Sequence, residues 1–445
     1  MSALGWLLAV SLAADFSIYA GGFVHLYIHE ACTLVAGVLG LVIAFRRRSL
    51  VPASRGSWIP LVLLILIAVN TVLLGAFQYH NVPEAMRKLF WFEHGDALRI
   101  LGEIAVWVWA FGQLDPPLED AWRIFDISLW GGAVMVALGA AYWLLQQEAH
   151  ATTTPFDLAV MVGMPLSVVA GLRNGWRRWN LLRLAIYSAG VLFLYSRTAI
   201  IVGALTTLVV LAAARRWRVI SKPVLTIAGA WVVVIAITLL TSLYKPSQAI
   251  ASIPPPPAAA GTTASGSSAL LTFLRLASLG DSQIAGYTLP SRLVIWRDAL
   301  SIFRRSPLVG VGYHDYFLYS KVTEIKTGSN LDPPDLFSSR IKAAHNDYLS
   351  MLSEGGLAGL LLYLSFWLLL LITAARLWLR ERAERVRHAF TLGFLASLAI
   401  VSFFGEILIP RSPSWIAPTV IYWLVIALLL IEADRRYKWL SWPPR

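Results

Sequence analysis

Apolar residues occur in long runs that are separated by short polar or basic connections. Because the hydrocarbon core of a bilayer is ~30 Å thick, about 20 apolar helical residues cross it. The pattern predicts an all-α integral membrane protein with twelve spans, near 3–23, 31–45, 58–78, 98–113, 127–147, 155–172, 180–196, 197–214, 223–244, 348–375, 389–408 and 414–432. No Lys or Arg precedes Arg46, so we expect the first span to be an uncleaved helix.

Composition agrees with a membrane protein. Hydrophobic residues make up 58% of the 445, and charged residues only 14%, against ~25% in soluble globular proteins. This balance excludes a soluble enzyme, a disordered chain and a collagen-like fibre. The single cysteine, Cys32, excludes an intrachain disulfide framework.

The net charge of +12 marks the topology of the chain. With a cytoplasmic N-terminus, the inner connections and the C-terminal tail carry 22 Lys and Arg, and the short outer connections carry five. Cytoplasmic loops of membrane proteins are enriched in this way. We therefore expect both termini in the cytoplasm, and the charge gives no reason to expect a nucleic-acid partner.

One long outer loop, 245–347, separates two groups of spans. Residues 1–244 are predicted to form spans one to nine, and residues 348–445 spans ten to twelve with the cytoplasmic tail. The loop begins with a Pro-, Ala-, Gly- and Ser-rich stretch, 245–268, which is predicted to be a flexible linker.

A short amphipathic helix is predicted within this loop, over residues 292–305. Trp296, Ala299 and Phe303 fall on one face, with basic side chains nearby, so we expect the helix to lie at the membrane surface. Pro307 should end it.

The candidate chemistry lies at the outer face, in three stretches that recur in chain order. The first stretch is Ser196-Arg197-Thr198-Ala199. The second runs from Arg292 to Trp296 and continues in Pro307-Leu308-Val309-Gly310-Val311-Gly312. The third is His345-Asn346-Asp347-Tyr348, followed by Glu354-Gly355-Gly356. Glycine-rich phosphate loops ending in Lys-Ser/Thr, paired cysteines and the HExxH zinc pattern do not occur in the sequence.

This ordered set, on the largest outer loop of a twelve-span chain, closely resembles the O-antigen ligase and polymerase superfamily. The resemblance implies a GT-C-like membrane glycosyltransferase in the bacterial inner membrane, with its active site on the periplasmic face. The implied donor is O-antigen on undecaprenyl diphosphate, and the implied acceptor is a sugar hydroxyl of lipid A–core. Neither a cofactor nor a metal is implied.

Two arginines suit the donor, because a diphosphate leaving group gains negative charge as its glycosidic bond breaks. Arg offers phosphate a permanently charged, bidentate fork. Arg197 and Arg292 are therefore predicted to bind the donor diphosphate. The alternatives are that Arg197 snorkels to the interface and that Arg292 anchors its helix to headgroups.

His345 is the predicted catalytic residue. An acceptor hydroxyl needs a base with a pKa near working pH, and an unperturbed imidazole at ~6.5 meets that need. The alternative is a helix-start histidine without a chemical role. Asn346, Asp347, Tyr348 and Glu354 are supporting candidates; Asp347 and Glu354 would orient the ring, accept sugar hydroxyls or cap a helix.

The sequence is compatible with several alternatives. Within the superfamily they are an O-antigen polymerase and a protein O-oligosaccharyltransferase; from another class, a lipid-linked glycan transporter. The polar candidates cluster at one face, whereas a transporter concentrates them at the midplane. The nearest acidic pair on the loop, Asp332 and Asp335, is predicted to be an exposed turn rather than a metal site. Gly355 and Gly359 are predicted to serve close helix packing.

Overall fold

The computed structural model describes residues 2–14, 24–79, 84–146, 155–193, 197–214, 221–233, 289–320, 344–403 and 416–438. Helices and their connecting turns account for these residues, with no strand among them. The helices are α1 (Ser2–Ala14), α2 (Val24–Arg47), α3 (Trp58–Gln78), α4 (Glu84–Leu114), α5 (Leu118–Gln146), α6 (Pro155–Asn174), α7 (Arg178–Phe193), α8 (Arg197–Ala214), α9 (Ser221–Val233), α10 (Leu289–Phe303), α11 (Tyr316–Tyr319), α12 (Asp347–Arg380), α13 (Arg385–Val401) and α14 (Ile416–Tyr437).

The predicted all-helical, multi-pass membrane architecture is confirmed. Within the described ranges, four helical segments are long and apolar enough to cross a bilayer, namely Arg55–Ala76, His94–Leu114, Leu118–Leu138 and Asp347–Arg380. Shorter apolar helices cover Ala3–Ala13, Val202–Ala214 and Ser221–Val233. The count of twelve spans stays a prediction, as does the GT-C-like arrangement.

The predicted fourth span, 98–113, is too short, because the helix that contains it begins at Glu84. The first turns of α4 carry polar side chains that lower the hydropathy without opposing helix formation. Arg99 pairs with Asp96 one turn earlier at 3.0 Å and with Glu30 of α2 at 2.8 Å. Ion pairs of this kind stabilise the polar turns that precede the apolar part of the helix.

Helix α14 forms the centre of the bundle. It packs against α1, α3, α4, α5, α6 and α12, and every residue from 419 to 433 is buried. A helix that is apolar on all sides belongs in an interior. Trp423 and Tyr422, which are among the largest fully buried side chains, fill the space around it.

Helices α8 and α13 run antiparallel, which fixes where α8 begins. The Thr206 hydroxyl lies 3.3 Å from that of Ser397, and a Cβ added at Gly393 would lie 3.1 Å from Cβ of Val209. With a rise of ~1.5 Å per residue, the start of α8 lies beside the end of α13. Arg197 therefore begins its helix about one turn beyond the level of Ser402.

The amphipathic helix predicted in the long loop is present as α10, but its buried face points elsewhere. Ile295, Ala299 and Ile302 are buried against Val311, Tyr316 and Ala344. Of the predicted face, Ala299 is buried whereas Trp296 and Phe303 are half-buried. The apolar side of α10 is thus covered by protein. The predicted linker, 245–268, lies outside the described residues.

Candidate functional site

Helix α12 is interrupted near its outer end. Gly356 has φ 63° and ψ −163°, a backbone conformation that a helix cannot continue through. Residues with a side chain adopt this region at substantial energetic cost. The break frees two carbonyl groups before Gly356 and two N–H groups after it, all of which need partners.

The loop after α10 supplies those partners. The amides of Val311 and Gly312 donate to the carbonyls of Ser353 and Glu354, at 3.1 and 2.9 Å. In return, the amides of Leu357 and Ala358 donate to the carbonyls of Pro307 and Leu308, at 2.8 and 3.1 Å. The Pro307–Gly312 motif and the Glu354-Gly355-Gly356 motif are therefore two halves of one backbone structure, which we call the loop–helix junction.

Glycine is required on both sides of the junction. Gly310 has φ 73°, and a Cβ there would overlap the backbone of Glu354. A Cβ at Gly356 would overlap the backbone of Leu308. The close-packing role predicted for Gly355 is wrong, since a Cβ at Gly355 meets nothing within 4 Å. At Gly359 the nearest atom is the Met351 carbonyl oxygen at 3.3 Å.

His345 lies immediately before α12 in a left-handed backbone conformation, with φ 50°. Its side chain is half-buried. Non-glycine residues rarely adopt this conformation, and such strain concentrates at functional sites. The geometry fixes the imidazole at the entrance to α12, next to the loop–helix junction.

The residues after His345 tie the start of α12 to neighbouring helices. Asn346 caps α12, because its side-chain oxygen accepts the Leu349 amide at 3.0 Å. Asp347 donates its amide to the Ser402 carbonyl at 2.8 Å and accepts the Tyr363 hydroxyl at 3.1 Å. Tyr348 donates its hydroxyl to the carbonyl of Ala399 at 2.7 Å. These contacts are structural, and they hold the backbone next to His345.

Glu354 joins the loop rather than projecting into solvent. It is 1% exposed, and its Oε1 accepts the Tyr316 amide at 3.1 Å. Tyr316 donates its hydroxyl to Asp298 of α10 at 3.3 Å, and Ser320 donates its own to the same carboxylate oxygen at 2.7 Å. The Glu354 carboxylate thus binds the backbone where α11 begins, and its role at the site stays a prediction.

A buried His–Asp pair lies beneath the loop. The Nε2 atom of His94, on α4, is 3.3 Å from Oδ1 of Asp315, and neither side chain is more than 5% exposed. Nδ1 of His94 lies 2.9 Å from the carbonyl of Phe90 and must donate to it, because that oxygen can only accept. Nε2 therefore faces the carboxyl group, and a proton held between the two offsets the burial of charge.

Sequence reasoning missed His94, Asp298 and Asp315. His94 lies in the polar part of α4 that the hydropathy pattern left outside a span, and its partner is more than two hundred residues away. The signal for Asp298 was present: it shares the buried face of α10 with Ile295 and Ile302, where an acidic residue calls for a partner.

The two predicted arginines lie on described helices, but their side chains are outside what the structure describes. Arg197 opens α8 and Arg292 lies in the first turn of α10. Helix α10 packs against α12, and the start of α8 lies beside the end of α13. The backbones of both arginines thus belong to elements that neighbour the start of α12.

A metal site finds no support in the described ranges, where no group of three His, Cys, Asp or Glu side chains is arranged to hold an ion. Asp332 and Asp335 lie outside these ranges. Metal independence stays a prediction.

Comparison with known protein families gives a match within this chain. The family model described as O-antigen ligase matches residues 182–364. The matched segment runs from α7 into α12, and it contains Arg197, Arg292, His345 and both motifs of the loop–helix junction. No curated protein matches the chain.

Proposed function

Because residues 182–364 place the chain in the O-antigen ligase superfamily, we propose that it transfers O-antigen en bloc from undecaprenyl diphosphate to lipid A–core. The observation that carries the proposal is that the match contains Arg197, Arg292 and His345. Helix packing supports it, since α10 packs against α12, and α8 and α12 both pack against α13. The reaction completes lipopolysaccharide and makes the protein a membrane glycosyltransferase.

In this proposal, His345 is the general base. Its imidazole takes the proton of the acceptor hydroxyl while that oxygen bonds to the anomeric carbon of the donor glycan. The bond from that carbon to the diphosphate oxygen breaks, and the electron pair leaves with undecaprenyl diphosphate. Arg197 and Arg292 bind the diphosphate and stabilise its growing charge. Asn346, Asp347, Tyr348 and Glu354 hold the local backbone.

The proposed location is the bacterial inner membrane, with the junction on the periplasmic face and both termini in the cytoplasm. Helix directions support one common face, because α8 and α12 begin where α13 ends. Reporter fusions after Arg216 and within 255–268 test this orientation. A cytoplasmic signal from the second fusion contradicts it.

Reconstitution with lipid-linked O-antigen and purified lipid A–core tests the function. We expect ligated product, no lengthening of the glycan when lipid A–core is omitted, and activity that survives excess EDTA. Lengthening without lipid A–core indicates a polymerase, and transfer to protein alone indicates an O-oligosaccharyltransferase. Movement of donor across vesicles without transfer indicates a transporter.

The two arginines are tested by substitution. Arg197→Ala and Arg292→Ala should weaken donor binding and turnover together, because a phosphate-bound guanidinium acts in the ground and transition states. The corresponding Lys variants should recover only part, since the bidentate fork is lost. Arg297→Ala is the matched control, as Arg297 lies exposed on the same helix. Unchanged donor affinity in both Ala variants would indicate that the arginines only anchor their helices at the membrane interface.

A further inference from the structure

A charged cavity lies at the end of the bundle opposite the loop–helix junction. Its volume is about 870 Å³. It is bounded by the start of α5, the end of α6 and the start of α7, and its lining carries three carboxylates and four arginines, Arg123, Arg173, Arg177 and Arg183. The proposed transfer reaction uses none of these residues.

Two arginines of the lining are free to take a ligand. Arg183 is 1% exposed and is held by Asp126 at 2.7 Å, and Arg173 is held by Glu119. Among the described residues, by contrast, no acidic side chain lies within ion-pair distance of Arg123 or Arg177, and both are exposed. Helix α7 also begins at the cavity without an acidic residue in its first turn, so its dipole adds positive potential.

Tryptophans place the cavity at the level of lipid headgroups. Trp130 and Trp179 meet edge to face, with ring centroids 6.4 Å apart, and the Arg183 guanidinium lies 5.5 Å from the Trp130 ring centroid. Tryptophan is enriched at membrane–water interfaces, where one part of the ring is apolar and another is wet. The exposed Trp179 is therefore suited to the rim of a site that opens to the membrane.

An apolar strip continues from the cavity along α5. Val134 and Leu138 follow Trp130 at intervals of four residues, which puts the three side chains on one helix face. Val134 is 46% exposed and Leu138 is 44% exposed. A ligand that fits both parts has an anionic head and an apolar tail; inorganic phosphate has only the first.

We infer that this cavity binds an anionic phospholipid, with its phosphodiester against Arg123 and Arg177 and an acyl chain along Val134 and Leu138. Basic pockets between membrane helices hold such headgroups in the cytoplasmic leaflet. The inference is independent of the transfer reaction, since it concerns the other end of the bundle. It assigns the cavity a lipid as its occupant.

The test measures lipid binding by native mass spectrometry and by thermal unfolding of the full chain in detergent. The probes are phosphatidylglycerol, phosphatidylcholine and inorganic phosphate. We expect phosphatidylglycerol to bind at least about tenfold more tightly than phosphatidylcholine, because the two lipids share the phosphodiester but phosphatidylcholine adds a quaternary ammonium, which the exposed arginines repel. Equal binding of the two lipids, or equal stabilisation by inorganic phosphate, overturns the inference.

Variants locate the binding. Arg123→Ala/Arg177→Ala should abolish the preference for phosphatidylglycerol. The matched control is Arg46→Ala/Arg47→Ala, which removes the same charge from exposed residues at the end of α2 and should keep the preference. Equal loss in both double variants, or no loss in either, overturns the assignment. If the first double variant is not monodisperse, Arg123→Gln and Arg177→Gln each test it with a partial loss.

Discussion

The two ends of the bundle are held together by different kinds of contact. At the loop–helix junction, backbone groups of the loop and of α12 bond to each other, and glycine allows them to approach. At the opposite end, side-chain ion pairs join helices that are distant in sequence: Arg173 and Arg387 both bind Glu119, and Arg435 binds Asp115. Arg387 also binds Glu384, three residues before it, at 2.7 Å.

This difference has a consequence for substitution. Backbone hydrogen bonds between two segments depend on the conformation of every residue in them, so one wrong φ angle disturbs the whole junction. At the partly exposed opposite end, charged groups such as Glu119 and Arg387 each bind two partners, and each ion pair contributes ~0–1 kcal/mol. Effects on transfer and on stability should therefore concentrate at the junction.

The largest effect is expected at His345, beside the junction. His345→Ala should reduce transfer by about 10²–10⁴-fold, the usual loss on removing a general base, and should leave donor affinity unchanged. Single-turnover transfer and donor binding in nanodiscs measure the two quantities. His388→Ala, at the opposite end, is the control and should transfer normally. Near-normal transfer by His345→Ala makes His345 a helix-start residue only.

Gly356→Ala is expected to have the next largest effect. Its left-handed φ and the overlap of a Cβ with the Leu308 backbone should lower the free energy of unfolding by about 3 kcal/mol, measured from thermal or denaturant unfolding in detergent. The adjacent Gly355→Ala is the matched control, because its Cβ meets no atom within 4 Å. Equal stability of the two variants would mean that the junction tolerates rearrangement.

The loop–helix junction also shows which features could be predicted from the sequence and which could not. Hydropathy predicted the helices, and the order of the motifs predicted the family, because both depend on residues near one another in the chain. The bonding of Val311 to Ser353 could not be predicted, since it depends on a break in α12 that apolar periodicity conceals. The His94–Asp315 pair was hidden for the same reason: it joins two segments whose proximity only the packing reveals.

Asn346 gives a smaller effect on stability. Removing the α12 cap with Asn346→Ala should lower the free energy of unfolding by about 1 kcal/mol, and Asn346→Ser should restore most of it. Unfolding in detergent measures both variants. Transfer should fall only as far as His345 is displaced. A loss of transfer in both variants without a loss of stability would instead assign the Asn346 amide a direct role.

The smallest effect is expected at the opposite end, at Glu119. Glu119→Gln removes a carboxylate that binds Arg173 and Arg387, but Arg387 keeps Glu384 as a partner, and the Glu119 side chain is 66% exposed. The free energy of unfolding should therefore fall by less than ~1 kcal/mol, and less at high salt, where exposed pairs are screened. Unfolding at two ionic strengths measures this, with Asp120→Gln on the same turn as control. Transfer should be unchanged. A loss of transfer comparable with that of His345→Ala would show that the two ends are coupled in function, although different kinds of contact hold them together.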